Sequence, residues 1–256
     1  MQIKSLILDM DGVLWRGAQP LGNLPAIFEQ INLKGFGVVL ATNNATLSVS
    51  QYLEKLSSLG VNLEDWQIVN SSQAAANYLL KLFPNGGPVF VVGEPGLKDE
   101  LSSYNFHHAE NDVIAVVVGL DRNVNYAKFK QAATLIHQGA RFIGTNPDAT
   151  FPEADGFSPG AGALLSFIET STGVKPTIVG KPFPQMYQLA LERLGTKPEE
   201  TIVVGDRLET DIVGAQILGC HTALVLSGVT NEESAQKWLP RPEIIGKDLT
   251  SILMTL

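Results

Sequence analysis

A single cysteine, Cys220, stands in 256 residues, which excludes an intramolecular disulfide and fits a reducing compartment. It lies in the apolar stretch Ile217 to Leu226, the setting of a buried structural thiol rather than a nucleophile. Positive charge is scarce as well. Lys and Arg total 18 against 26 Asp and Glu, a net charge of −8, so no basic footprint exists for nucleic acid or an anionic membrane. Long apolar runs are missing. The N-terminal one, Leu6 to Leu8, stops at Asp9, too short for a signal-peptide core or a membrane span, and the expectation is a cytoplasmic protein. His107, His108, His137 and His221 show no metal-ligand spacing and read as surface or satisfied core. Charged residues reach only 17% while hydrophobic ones reach 45%, a balance that suits buried parallel strands and excludes disorder.

What is present is an alternation of short β-branched runs with helical patterns, the signature of βα units feeding a parallel sheet. Strands are predicted at Ile3–Asp9, Gly37–Ala41, Gln67–Asn70, Val89–Val92, Val113–Gly119, Arg141–Thr145, Thr177–Gly180, Thr201–Gly205 and Thr222–Leu226. Asn23 is placed to cap a helix running through Leu33, with Gly35 as its stop, and Ser48 with Gln51 forms a capping-box pattern. The run Pro84-Asn85-Gly86-Gly87-Pro88 breaks the first half, and Gly173 and Pro176 close the section that follows. The predicted fold is α/β: a Rossmann-like parallel-sheet core from residues 1–80 and 177–256, with an α/β insert over 81–176.

In open parallel sheets, ligands bind where the carboxyl ends of strands meet their loops. Four predicted core strands place polar groups there: Asp9-Met10-Asp11-Gly12, Thr42-Asn43-Asn44, Lys181, and Gly205-Asp206 followed by Thr210-Asp211. This set suits phosphoryl transfer, where catalysis comes from positioning and charge neutralisation. Three converging aspartates repel one another unless a cation sits among them, and an all-oxygen site suits Mg2+. Asp9 is placed as nucleophile and metal ligand, giving an aspartyl-phosphate, and Asp11 as general acid and then base. Gly12 lets the backbone turn closely past a phosphate, Thr42 and nearby N–H groups can hold its oxygens, and Lys181 adds positive charge.

These residues fall in DMDGV (Asp9–Val13), VVLATNN (Val38–Asn44), VGKP around Lys181 and VVGDRLETDI (Val203–Ile212), and in that order the chain resembles the haloacid dehalogenase superfamily. The insert lies between the second and third motifs, as in members with a large α/β cap. With GLDRNVNY, GTNPDATFP and PGAGALL it looks like the 4-nitrophenyl phosphatase and NagD-like branch, which acts on nucleotides, sugar phosphates and phosphoglycolate. The resemblance implies Mg2+ held by Asp9, the Asp11 backbone carbonyl and Asp206, with Asp211 just behind them. It also implies phosphate contacts from Gly12, Thr42, Asn43, Asn44 and Lys181, and a cap loop in which Asn146 and Asp148 read the leaving group. The expected partner is a small phosphorylated metabolite, and a cap surface could pair two copies into a homodimer.

Competing readings attach to several of these residues. Asp9, Thr42 and Asp211 could each serve as helix-terminal or turn residues, and Asn146-Pro147-Asp148 is an ordinary turn sequence. Arg207 and Glu209 read as solvent-facing or structural, Trp15 as a hydrophobic anchor, and Trp15-Arg16 together as a flap. Gly180-Lys181 is no phosphate-binding P-loop because Pro182 follows, and Gly160-Ala161-Gly162 lacks the third glycine of a dinucleotide site. Three other functions share the fold or part of it: a dehalogenase, which needs neither Asp11 nor a metal; a phosphomutase; and a module that senses phosphoesters without turning them over.

Overall fold

The computed structural model describes residues 3–153 and 156–256. They form two compact units, one of residues up to Thr42, Val49–Val69 and Lys181–Leu256, the other of Asn43–Ser48 and Asn70–Gly180.

The first unit is organised by a six-stranded sheet in the order Ile244–Gly246, His221–Val225, Thr201–Gly205, Ser5–Leu8, Gly37–Thr42 and Ile68–Asn70. Ser5–Leu8 lies at its centre because its side chains are apolar on both faces: Leu6, Ile7 and Leu8 are fully buried. Each such burial contributes about 1.5–3 kcal/mol. Its neighbours run parallel to it in the same register, Ser5 opposite Thr201 on one side and Gly37 on the other. From this central strand the chain builds outward to one side through residues 37–70 and to the other through residues 201–246. In parallel sheets such a reversal marks the usual place for a ligand, here the carboxyl ends of Ser5–Leu8 and Thr201–Gly205.

Helices follow where the sequence places caps. Asn23 accepts from the Ala26 N–H to start Leu24–Leu33, and Asp248 caps Leu249–Thr255 in the same way. Between Thr201–Gly205 and the helix Val213–Leu218 the chain makes a π-helical turn, Leu208–Ile212. Such turns are rare and tend to occur at functional sites.

The second unit has its own parallel sheet, ordered Thr177–Ile178, Arg141–Gly144, Ala115–Val118, Gly87–Val92 and Phe106–His108. Val92, Val116, Val118, Phe142, Leu165 and Ile168 form its core beneath helices Tyr126–His137 and Ala161–Thr172. An antiparallel hairpin, Thr150–Glu153 with Gly156–Pro159, completes it and has no counterpart in the predicted elements.

One expectation needs correction. The sequence pattern places the strand before Lys181 in the core sheet, yet Thr177 pairs with Ile143 and Ile178 with Gly144, so it is an edge strand of the second sheet. Two half-buried residues carry too little apolar pattern to say which sheet they join. The division between units falls at Gly180–Lys181, and the expected boundaries at Lys81 and Pro176 lie inside the second unit. No helix among the described residues is long and apolar enough to cross a membrane.

Candidate active site

Asp9 follows Ser5–Leu8 directly and Asp206 follows Thr201–Gly205, so the parallel register of those strands sets the two carboxylates side by side. The π-helical turn adds Asp211 from the same side, and one oxygen from each of the three lies within 4.8 Å of the others. Lys181 is the counter-charge. Its Nζ donates to Asp9 Oδ1 at 2.5 Å, to Asp211 Oδ1 at 2.6 Å and to the Ala41 carbonyl at 3.0 Å. The side chain is almost wholly buried, so these are strong charge-assisted bonds in a dry setting.

The ionisation of the cluster follows from that geometry. Burial pushes the Asp9 carboxyl well above its ordinary value; Lys181 opposes the shift, while Asp211 and Asp206 add to it. Burial, then the charge of Asp211, lifts Asp206 to about 6. Burial works against the Lys181 ammonium, but Asp211 and Asp9 outweigh it and hold its pKa above the usual lysine range. One lysine thus leaves a surplus of buried negative charge, and a second cation would relieve it.

The oxygens of these carboxylates are not equally committed. Asp211 uses Oδ1 for Lys181 and Oδ2 for the Arg207 N–H at 3.1 Å, so both of its oxygens accept hydrogen bonds from the protein. Tyr187 anchors the same turn, donating to the Thr210 and Asp211 carbonyls at 3.1 Å. Asp206 Oδ2 accepts from the Val229 N–H at 2.7 Å. Asp9 Oδ2 and Asp206 Oδ1 have no protein partner among the described residues, and these two, both hard oxygens, fit a small divalent cation.

Two glycines make the approach possible. Gly12 turns with φ +83°, and a Cβ there would lie 2.4 Å from Asp206 Oδ2. A Cβ on Gly228 would lie 1.9 Å from that same oxygen, so the loop of residues 227–230 closes on Asp206 only because position 228 has no side chain. Ser227 Oγ donates to the Gly12 carbonyl at 2.7 Å and ties the two loops together.

Asp11 stands apart from the acid cluster. It is exposed, and its Oδ1 accepts from the Trp15 indole N–H at 3.0 Å. Trp15 is fully buried, as the anchor reading expects, and Trp15–Arg16 pairs with Gln19–Pro20 in a short hairpin. The helix Val49–Ser58 brings Tyr52 and Lys55 to this loop. Tyr52 shares a side-chain hydrogen bond with Thr42, and Lys55 Nζ sits 3.8 Å from the centroid of the Trp15 ring. Burial lowers the Lys55 pKa, and the nearby Asp11 charge acts in the opposite sense. Tyr52, Lys55, Tyr187 and Gly228 were missed in the sequence because none follows a strand directly; only the i, i+3 spacing of Tyr52 and Lys55 on an apolar helix face hinted at a shared direction.

Thr42 is buried at the end of its strand in the first unit, whereas Asn43, Asn44, Asn146 and Asp148 belong to the second. There Asn146 Nδ2 donates to the Asn43 carbonyl at 2.8 Å, and Asn43 Nδ2 to Asp148 Oδ2 at 3.3 Å. Asn44 Oδ1 accepts from the Thr46 N–H and hydroxyl at 2.9 and 2.7 Å, an Asx turn within its own loop. Cys220 is buried, with its thiol pushed up to about 12 by burial and then by Glu199, as a structural thiol should be.

A carboxylate cluster bound to a buried lysine at the switch point of a parallel sheet defines an α/β enzyme. Comparison with known proteins agrees. Residues 6–107 match the haloacid dehalogenase-like hydrolase family, and residues 178–252 match a HAD-hydrolase-like family. An acid sugar phosphatase of Staphylococcus aureus is 34% identical, over 100% of this chain and 98% of its own length. The p-nitrophenyl phosphatase of Archaeoglobus fulgidus superposes with a TM-score of 0.94 at 30% identity, covering 100% of both chains. A glycerol phosphate phosphatase of Mycobacterium tuberculosis, solved in complex with magnesium, gives a TM-score of 0.90 at 32% identity over 98% of this chain and 76% of that one. The chain belongs to the haloacid dehalogenase-like hydrolase family.

Proposed function

We propose that this protein removes phosphate from small organic phosphomonoesters through a covalent intermediate on Asp9. It is a phosphoric monoester hydrolase of its family, and the observation that carries the mechanism is the buried Lys181 bridging Asp9 and Asp211 beside Asp206. Asp9 attacks phosphorus through one carboxylate oxygen, and the bond to the ester oxygen breaks. Asp11 gives its proton to the departing alkoxide. It then takes a proton from the water that attacks the aspartyl-phosphate, which frees phosphate, restores the Asp9 carboxylate and returns Asp11 to its protonated form. Lys181 keeps Asp9 oriented and balances the charge of the transferring group, while the Thr42 hydroxyl and nearby backbone N–H groups serve its oxygens. Asp9, the Asp11 backbone carbonyl and Asp206 would hold Mg2+, which supplies neutralisation of the phosphoryl oxygens.

The second unit is the substrate-reading cap in this proposal, with Asn43, Asn146 and Asp148 as its recognition loop. Sugar and polyol phosphates are the first esters to test, given the sugar and glycerol phosphate phosphatases among its relatives. Phosphate release from 4-nitrophenyl phosphate with and without Mg2+ tests the class. Asp9→Asn should lower the rate by on the order of a thousandfold or more while the circular dichroism spectrum is retained. A folded Asp9→Asn protein that hydrolyses the ester at near wild-type rate excludes the mechanism.

A further inference from the structure

We propose that Trp15 is a positioning residue for Asp11 and that Lys55 holds the indole in place. The proposal rests on the reading of Asp11 as the proton carrier. An exposed aspartate on a loop is free to rotate, yet Asp11 has to meet first a leaving oxygen and then a water. Trp15 removes that freedom. Its ring is fully buried, and its one polar atom, Nε1, donates to Asp11 Oδ1 at 3.0 Å.

The segment between them is short and closed by its own backbone. The Gly12 N–H donates to the Trp15 carbonyl at 2.7 Å, and the Leu14 N–H to the Met10 carbonyl at 2.8 Å. The indole and the carboxylate are therefore held by one tight loop. From the other side, Lys55 lies 3.8 Å from the ring centroid and donates to the Gly17 carbonyl at 3.3 Å, which clamps the hairpin that carries Trp15.

An indole N–H donates and never accepts. Oδ1 of Asp11 is thus occupied by a donor in both halves of the reaction, and the proton that leaves and returns travels on Oδ2. Trp15 assigns the working oxygen as well as the direction in which it points.

A buried tryptophan with a satisfied N–H is also what an ordinary core residue looks like, so the test separates the two roles. Replacing Trp15 with 3-benzothienylalanine keeps the shape and loses the N–H; Trp15→Phe is the simpler companion. kcat/KM is measured over substituted phenyl phosphates, from the good leaving group of 4-nitrophenyl phosphate to the poor one of 4-methoxyphenyl phosphate. These esters are similar in size and differ in their need for an acid.

With the N–H gone, kcat/KM should fall roughly tenfold for the poor leaving group and much less for 4-nitrophenyl phosphate, the scale of one lost hydrogen bond to a charged group. Lys55→Met should show the same tilt at smaller size. Equal losses across the series, or none, overturn the positioning role. Asp11→Asn run alongside identifies the failing layer. If it too lacks leaving-group dependence, the acid role of Asp11 falls; if it alone shows the dependence, only the role of Trp15 falls.

Discussion

Replacing Lys181 with methionine removes one charge and little volume from a place where three carboxylates meet. The ammonium bonds Asp9 and Asp211 at 2.5 and 2.6 Å, and its side chain is only 4% exposed. Taking one partner from a buried ion pair costs about 3–5 kcal/mol, because the other charge is left without compensation. For a domain of this size that corresponds to a fall in melting temperature of roughly 6–20 °C. All three tryptophans, at positions 15, 66 and 238, lie in the unit that holds the site, so intrinsic fluorescence reads the relevant unfolding. The loss should be full in chelator at pH 7.5. It should shrink near pH 5, where Asp9 and Asp206 take up protons, and shrink again with Mg2+ at the higher pH. Phosphatase activity should fall by on the order of a hundredfold or more. A Lys181→Met protein within about 1 kcal/mol of wild type in chelator at pH 7.5 refutes the assignment of Lys181 as the counter-charge.

Other consequences follow from the same geometry. Gly228→Ala would press a methyl group to within 1.9 Å of Asp206 Oδ2, so the loop of residues 227–230 must retreat; Mg2+ affinity by calorimetry should weaken at least about tenfold, and an unchanged affinity counts against Asp206 as a ligand. Asp9 and Asp206 both have raised pKa values, Asp206 to about 6, so in chelator their contribution to stability is present at low pH and lost as pH rises through those values. A cation reverses that loss, and the rise in melting temperature on adding Mg2+ should grow from pH 5 to pH 8. A rise independent of pH would separate the cation from these carboxylates.

Much of this site was legible because strand ends are legible. Runs such as Leu6-Ile7-Leu8 and Ile202-Val203-Val204 read as buried strands, and the acids that follow them land together once the strands run parallel. Pairing partners were not legible. Thr177–Ile178 looks like the beginning of a core strand and joins the other sheet, since two residues carry no register information. The π-helical turn at Leu208–Ile212 also leaves no mark in the sequence, and its contact with Tyr187 at the Thr210 and Asp211 carbonyls comes from a helix elsewhere in the chain. Trp15 shows the same limit: its burial follows from its side chain, but its bond to Asp11 depends on how the loop closes.

The central position of Ser5–Leu8 in its sheet has a consequence for the order in which the protein is made. Asp9 leaves the ribosome long before its partners, since its counter-charge comes at position 181 and its neighbouring acid at position 206. Until Thr201–Gly205 emerges, the first strand lacks one of its two neighbours, and Asp9, the proposed nucleophile, remains hydrated. Reactivity therefore arrives late in synthesis, and a chain released before residue 201 should carry the DMDGV motif and hydrolyse nothing.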